Sequence, residues 1–570
     1  MKKIYLMPLL AATLLLSGCI DEEMPTDYAS GAQVEKSSDA LEKLLNGLTG
    51  SLVEYDTYSG SDGNSVDWGY PCQMVIRDVM CEDFPVKVTA TNYDYYSYIA
   101  DGTSLTVFPI YTYYYYSKII STSNSLLSKA GGTQTTSNQL YAGVALAFRA
   151  MAYLDMARMF EFRETGYSDL DAKASGIWGQ TVPIVTDTTT LSAARNNPRA
   201  PFYKMYRFIN NDLTQAEQLL ADQTRSRYDI PDLSVVYGLK ARLWLELGSR
   251  FYKHADDLST QLQHENDADG YAALGIQTAN DCFQKAAEYA QKAMSGYSPV
   301  TKSQWYNKET GFNSSEATSA WMWCGVIGAK EQVNSWYYSW MGTLNSESNY
   351  SFGHYGTYRC ISADLYSKMG DGDWRKKTWI DPNDTISGAV REGYTTVLDS
   401  AGLADLPEYT NLKFHPGSGN IDDYQVCLLC DIPLMRVEEM YYIYFEAIAH
   451  TQGVAAAKVA LENYTNAYRY EDGSYTCQAT DLDAFTKAVM EQKRLELWGE
   501  GLVYFDYKRL GLAVKRTYEG SNFSEEQRLN SKDGYVAPWM NYYFPEYETA
   551  YNPAAEPNPD PSGVVTAQAQ

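Results

Sequence analysis

Histidine is scarce in this 570-residue chain: five residues, His254, His264, His354, His415 and His450, each alone in its stretch of sequence. Histidine-based metal sites and Ser-His-Asp triads therefore have little material to draw on. Positive charge is short as well. Lys and Arg number 46 against 71 Asp and Glu, a net charge of −25, and that field repels phosphate backbones, which excludes nucleic-acid binding. Nine Cys at irregular spacings form no disulfide framework in a chain too long to need one. No Gly-x-Ser-x-Gly elbow, His-Glu-x-x-His pair, phosphate loop or dinucleotide fingerprint occurs. No catalytic residue, metal or cofactor is assigned from these absences. Paired carboxylates of the glycosidase kind can come from anywhere in a chain, so the sequence leaves that chemistry open.

Two weak motifs read as ordinary structure. Glu265, Asp267 and Asp269-Gly270 have calcium-loop spacing, but Ile276 stands where a bidentate Glu is needed. Cys427 and Cys430 have redox or zinc spacing without a second pair nearby and read as an inert packed pair.

The N-terminus is informative. Lys2 and Lys3 precede the apolar run Ile4 to Leu16, which ends in Leu16-Ser17-Gly18-Cys19. That run is too short to cross a bilayer of about 20 residues, and its end resembles a bacterial lipobox, with Cys19 the lipidated first residue of the mature chain. Acyl chains there, at about 0.8 kcal/mol per buried methylene, would hold a soluble domain on a membrane without a spanning helix. Nothing later reads as apolar enough to span. Asp21-Glu22-Glu23 resembles the acidic tag that sends lipoproteins of the Bacteroidetes to the outer face of the outer membrane. The expected division is a signal peptide (1–18), a lipid-anchored tether (19–33) and one helical domain (34–570).

Beyond the tether, apolar residues recur at three- and four-residue steps, as in Met205, Tyr206, Ile209, Leu213, Ala216 and Leu220. The same rhythm runs through 142–160, 235–247, 286–294, 437–448 and 485–497, while strand-like alternation is scarce. Small residues such as Ala145, Ala147, Ala150 and Ala152, or Ala455, Ala456, Ala457 and Ala460, let helices approach closely. The pattern predicts a mainly α chain of tetratricopeptide-like helix pairs, degenerate because no strict 34-residue period is present. Between the helices lie long segments, 55–108, 297–359 and 370–430, rich in Gly, Ser, Asn, Tyr and Trp. The tail from Pro545, punctuated by proline, is expected to fray.

Tyrosine is the excess to explain: 50 residues against 17 Phe. The loop Trp336-Tyr337-Tyr338-Ser339-Trp340, followed by Tyr350, Phe352, His354, Tyr355 and Tyr358, is the principal candidate site. Sugar rings present apolar C–H faces flanked by hydroxyls, and a rigid ring with a polar tip answers both at low entropic cost. The same rings would also serve to pack the loop onto the helices. The run Tyr111 to Tyr116 reads as the start of a helix whose rings cover the core.

Two late segments carry a family resemblance. Asp431-Ile432-Pro433-Leu434-Met435-Arg436-Val437-Glu438-Glu439, running on to Glu446-Ala447, and Glu491-Gln492-Lys493-Arg494-Leu495-Glu496-Leu497-Trp498-Gly499-Glu500-Gly501, continuing to Arg509, resemble the signatures of SusD-like (RagB/SusD) outer-membrane lipoproteins. The resemblance implies about four helix pairs with long loops on the ligand-binding side. It also implies a glycan or other nutrient as ligand, a TonB-dependent SusC-like transporter as partner, and no catalysis. Family members tend to use the early loop beside the ligand, which adds Asp83, Phe84 and Tyr93 as candidates, although a half-buried strand would explain that stretch too. Peptide cargo stays open as an alternative. Arg436 with Glu438 or Glu439, and Arg494 with Glu491 or Glu496, read as ion pairs of the scaffold.

Overall fold

The computed structural model describes residues 39–54, 67–90, 102–131, 135–317, 319–333, 339–384 and 393–564. After α1 (Ala40–Ser51) and α2 (Tyr70–Met80), eight helices stack as four antiparallel pairs: α3 (Gly102–Ala130) with α4 (Thr136–Phe160), α5 (Phe202–Leu220) with α6 (Leu233–Lys253), α7 (Ala279–Met294) with α8 (Val437–Thr451), and α9 (Val454–Tyr468) with α10 (Leu482–Glu496). Successive pairs pack through α4 on α5, α6 on α7 and α8 on α9. The chain is thus mainly α and built on tetratricopeptide-like pairs, as its periodicity predicts. The third pair is split: residues 295–436 leave the stack after α7 and return only at α8.

Helix starts are fixed locally. Thr135, Asp232 and Asp481 accept amides of the first turn of α4, α6 and α10, and Thr278 with Asp281 forms a reciprocal capping box on α7. Small residues bring axes together. A Cβ at Gly248 of α6 would lie 2.9 Å from the Phe283 ring of α7. Ala145, Ala147, Ala150 and Ala152 are all buried in α4, whereas of the α9 alanines only Ala457 is. By length and composition α4 could cross a membrane, contrary to the reading that nothing beyond the leader is apolar enough, but 89% of its apolar window is buried inside the protein. It is the central core helix. Tyr113, Tyr115 and Tyr116 of α3 turn inward, as the sequence suggests.

The two family segments build a buried ion network at the roots of the excursion. Glu496 of α10 receives Arg469 at 2.6 Å, Arg375 at 3.0 Å and Arg436 at 3.3 Å; Glu438 pairs with Arg436 at 2.8 Å and Arg469 at 3.3 Å. Glu500 takes Arg436 at 2.8 Å and Lys413 at 2.6 Å, and Asp373 holds Arg375 at 2.7 Å. Four cations face four carboxylates, all essentially without solvent access. The three arginines hold Glu496 well below the usual carboxylate range despite burial, which alone would raise it. The turn between α10 and α11 (Val503–Leu510) requires Gly499 and Gly501, at φ 79° and 67°, where a side chain would strike Phe414 and the Met74 backbone.

The other expected pairings need correction. Glu439 reaches Arg242 at 2.7 Å rather than Arg436, and Arg494 leaves its own helix to pair with Asp83 at 2.5 Å and Glu82 at 2.9 Å. The tail does not fray over its described residues. Glu546–Tyr551 is helical, and Asn558, buried, accepts from Arg199 and donates to the carbonyls of Phe160 and Tyr542 at 2.7 Å each. Sequence periodicity misses this because the anchor is a polar side chain meeting orphan carbonyls, not an apolar face.

Candidate ligand-binding surface

The excursion carries two small antiparallel ladders. One pairs β2 (Trp321–Gly325) with β4 (Ile432–Arg436) and ties the excursion's end to its start. The other joins the early loop to the principal aromatic loop: β1 (Val86–Val88) runs against β3 (Thr357–Arg359), with Val86 opposite Arg359, Lys87 opposite Tyr358 and Val88 opposite Thr357. Beyond the ladder the Thr89 amide donates to the Gly356 carbonyl at 2.7 Å. Two candidate segments far apart in sequence therefore meet side by side.

The ladder is held from both directions. On the other edge of β1 the Gln527 amide imitates a strand, accepting from the Val86 amide at 3.3 Å and donating to its carbonyl at 2.8 Å. Beneath it, Phe84 stacks on Trp498 at 4.8 Å, and the Trp498 indole donates to the Asp83 carbonyl at 2.7 Å. Asp83 and Phe84 are thus buried, Asp83 neutralised by Arg494, and belong to the seat of the ladder rather than to its surface. Trp340 is likewise core: it is 2% exposed and meets Phe414 edge-on at 5.4 Å.

Tyr350, Tyr355 and Tyr358 are half-buried. Tyr350 leans on Tyr424 at 5.8 Å, Tyr355 stands edge-on to exposed His354 at 5.1 Å, and Tyr358 covers the apolar cluster of Ile380, Leu403, Leu406 and Leu412. Burial and the nearby Asp405 push the Tyr358 hydroxyl's pKa up, so it stays a neutral donor at neutral pH. Trp336, Tyr337, Tyr338, Tyr93 and Cys19 lie outside the described residues.

Alongside β1 runs a cavity of about 1020 Å³, lined by Lys87, Val88, Glu408, Tyr409, Asn522 and Glu526 among others. Tyr409, which lines this cavity, is a residue that sequence reasoning passes over. It adopts φ 63°, rare for a non-glycine and costing on the order of 1–3 kcal/mol, and is pinned by backbone bonds to Ile380 and Ile361 at 2.8 and 3.0 Å. Its ring meets Tyr366 edge-on at 5.5 Å. The one signal in the sequence is its place in the long segment 370–430. The wall offers amides, carboxylates, one lysine and ring faces: groups suited to a polar, multiply hydroxylated ligand.

The carboxylates of the weak calcium motif are engaged by protein groups. Asp269 grips Arg207 at 3.0 and 2.7 Å, and Glu265 accepts from Gln261 at 2.6 Å and the Gly275 amide at 3.0 Å. Cys427 and Cys430 are buried free thiols, and the Cys430 thiol donates to the Cys427 carbonyl at 3.4 Å.

Four tetratricopeptide-like pairs, with the third opened by a loop excursion that carries half-buried rings around a small ladder, define a class of helical-repeat scaffold with an irregular face. The chain belongs to the SusD family, whose model matches residues 262–553. Among solved structures it is similar to a SusD-like carbohydrate binding protein from Bacteroides vulgatus ATCC 8482, at 21% identity, TM-score 0.63, over 90% of this chain and 96% of that one. A SusD superfamily protein from Bacteroides thetaiotaomicron VPI-5482 aligns at 18% identity and TM-score 0.60, over 91% and 99% of the two chains. Another from Parabacteroides distasonis ATCC 8503 gives 16% identity and TM-score 0.60, over 93% and 99%. Comparison with curated proteins gives no match.

Proposed function

We propose that this protein is a lipid-anchored, non-catalytic receptor on the outer face of the outer membrane that captures oligosaccharide or polysaccharide and delivers it to a TonB-dependent SusC-like transporter. The observation that carries the reading is the β1–β3 ladder, which sets the early loop beside Tyr355 and Tyr358 on a rigid base. Family membership and the likeness to a SusD-like carbohydrate binding protein support it. Cys19 is the proposed anchor, residues 19–33 the tether, and 34–570 a single domain. Tyr350, Tyr355 and Tyr358, with Trp336, Tyr337, Tyr338 and Tyr93, form the proposed contact set; Trp340, Phe84 and Asp83 support it from beneath.

The test is calorimetric titration of the mature chain with neutral glycans and with a peptide mixture. Tyr355→Ala and Trp336→Ala each weaken binding of the glycan that binds best by about tenfold, the cost of one stacked ring. Unchanged affinity in both removes the site; binding of peptides alone replaces the cargo; release of sugar products by the pure protein makes it an enzyme.

A further inference from the structure

A second cavity, of about 450 Å³, lies where the C-terminal ends of α6 and α11 meet the loop after α4. It shares no lining residue with the cavity beside β1. At its rim Trp178 is 42% exposed, one of few large apolar side chains so open among the described residues, and it is propped edge-on against buried Phe162 at 5.4 Å. Half-buried Tyr535, packed over Gly166, supplies a second ring.

The charges of the wall are unequal in their partners. Arg250 is matched by Glu161 at 2.9 Å and Asp257 at 2.8 Å, and Arg509 by Glu446 at 2.5 Å and Asp506 at 2.7 Å. Arg163 has only looser contacts, 3.5 Å to Glu161 and 3.9 Å to Glu246. Lys508 and Lys253 meet no carboxylate within ion-pair distance among the described residues. Lys508 donates to the Met159 carbonyl at 2.7 Å and Lys253 to that of Leu510. Burial, with neighbouring cations, pushes Lys508, Lys253 and His254 all below their ordinary pKa values. The wall also carries Glu161, Glu164, Glu246 and Asp257, of which Glu161 and Asp257 are spent on Arg250, so the ammonium groups of Lys253 and Lys508 are left without a carboxylate partner among the described residues, and an arriving anion would answer them.

We propose that this cavity is a second saccharide site selective for a carboxylated sugar, its ring face stacked on Trp178 and its carboxylate directed at Lys253 and Lys508. The proposal rests on the glycan reading above and deepens it: the loop face grips the chain generally, and this cavity selects uronate-bearing chains. Cation and ring together suit such a unit, since the ring takes the C–H face and the ammonium groups take the acid.

The mature protein is titrated with an oligogalacturonate and with a neutral oligosaccharide of equal length. The oligogalacturonate binds, more weakly as NaCl rises, and Trp178→Ala and Lys253→Met each reduce its affinity by about tenfold. Val459→Ala, on the exposed side of α9, is the surface control. Both changes are at solvent-accessible positions, so folding survives, which circular dichroism verifies. Oligogalacturonate affinity equal in Trp178→Ala, Lys253→Met and wild type overturns the site, as does binding of the neutral oligosaccharide alone, which leaves the loop-face reading standing. Oligogalacturonate binding lost in Trp178→Ala and kept in Tyr355→Ala supports this site and counts against the loop face. No binding of any glycan removes both.

Discussion

Asp78 accepts the Gly501 amide at 2.9 Å in the core, and burial pushes its carboxyl up to about 8 from an ordinary 3.8. The folded chain therefore holds a proton that the unfolded chain releases above pH 4, so this group's contribution to stability is full below about pH 4 and is lost as pH rises to about 8. Asp78→Asn keeps the acceptor and removes the titration; its melting temperature relative to wild type should climb between pH 4 and 8 and then level off. His450 works in the opposite direction. Stacked on Phe283 at 3.6 Å and desolvated, it falls to about 4 from 6.5, so its contribution is full above pH 6.5 and fades as pH drops toward 4. His450→Gln should flatten that part of the acid limb of thermal melts. Glu496 answers three guanidinium groups at once. Glu496→Gln should cost about 3–5 kcal/mol in denaturant unfolding, the penalty for leaving buried cations unpaired. Single side chains were also where sequence reading reached least far. Asp83 is spent on Arg494 and Trp340 on Phe414, and neither partnership leaves a trace in local spacing.

At the scale of elements, helices were legible because burial imprints a 3.6-residue period on the chain, and α5 matches its predicted span from Phe202 to Leu220. The β1–β3 ladder was not, since three-residue strands carry too little alternation to reveal a partner some 270 positions away. One side chain clamps the outer edge of that ladder. Gln527→Ala removes both bonds that clamp Val86 and should destabilise the loop face by about 1–3 kcal/mol, read as faster hydrogen exchange at the Val86 and Thr89 amides. The docked tail is a second case of polar anchoring. Asn558→Ala removes its bonds to the Phe160 and Tyr542 carbonyls and to Arg199, and should expose the segment after Pro545 to limited proteolysis, leaving the helix pairs intact.

For the whole molecule, family and architecture could be read from two short motifs and a periodicity, while the composition of the binding face could not, because the fold decides which of fifty tyrosines are covered. The proposed anchoring is tested at the same scale: Cys19→Ser should move the protein from the membrane fraction to the soluble one, with the domain's melting profile unchanged. The split third pair has a bearing on biogenesis. The side of α7 that α8 covers stays bare until the whole of 295–436 has been made, so a chain emerging N-terminus first carries an unfinished apolar repeat for that interval.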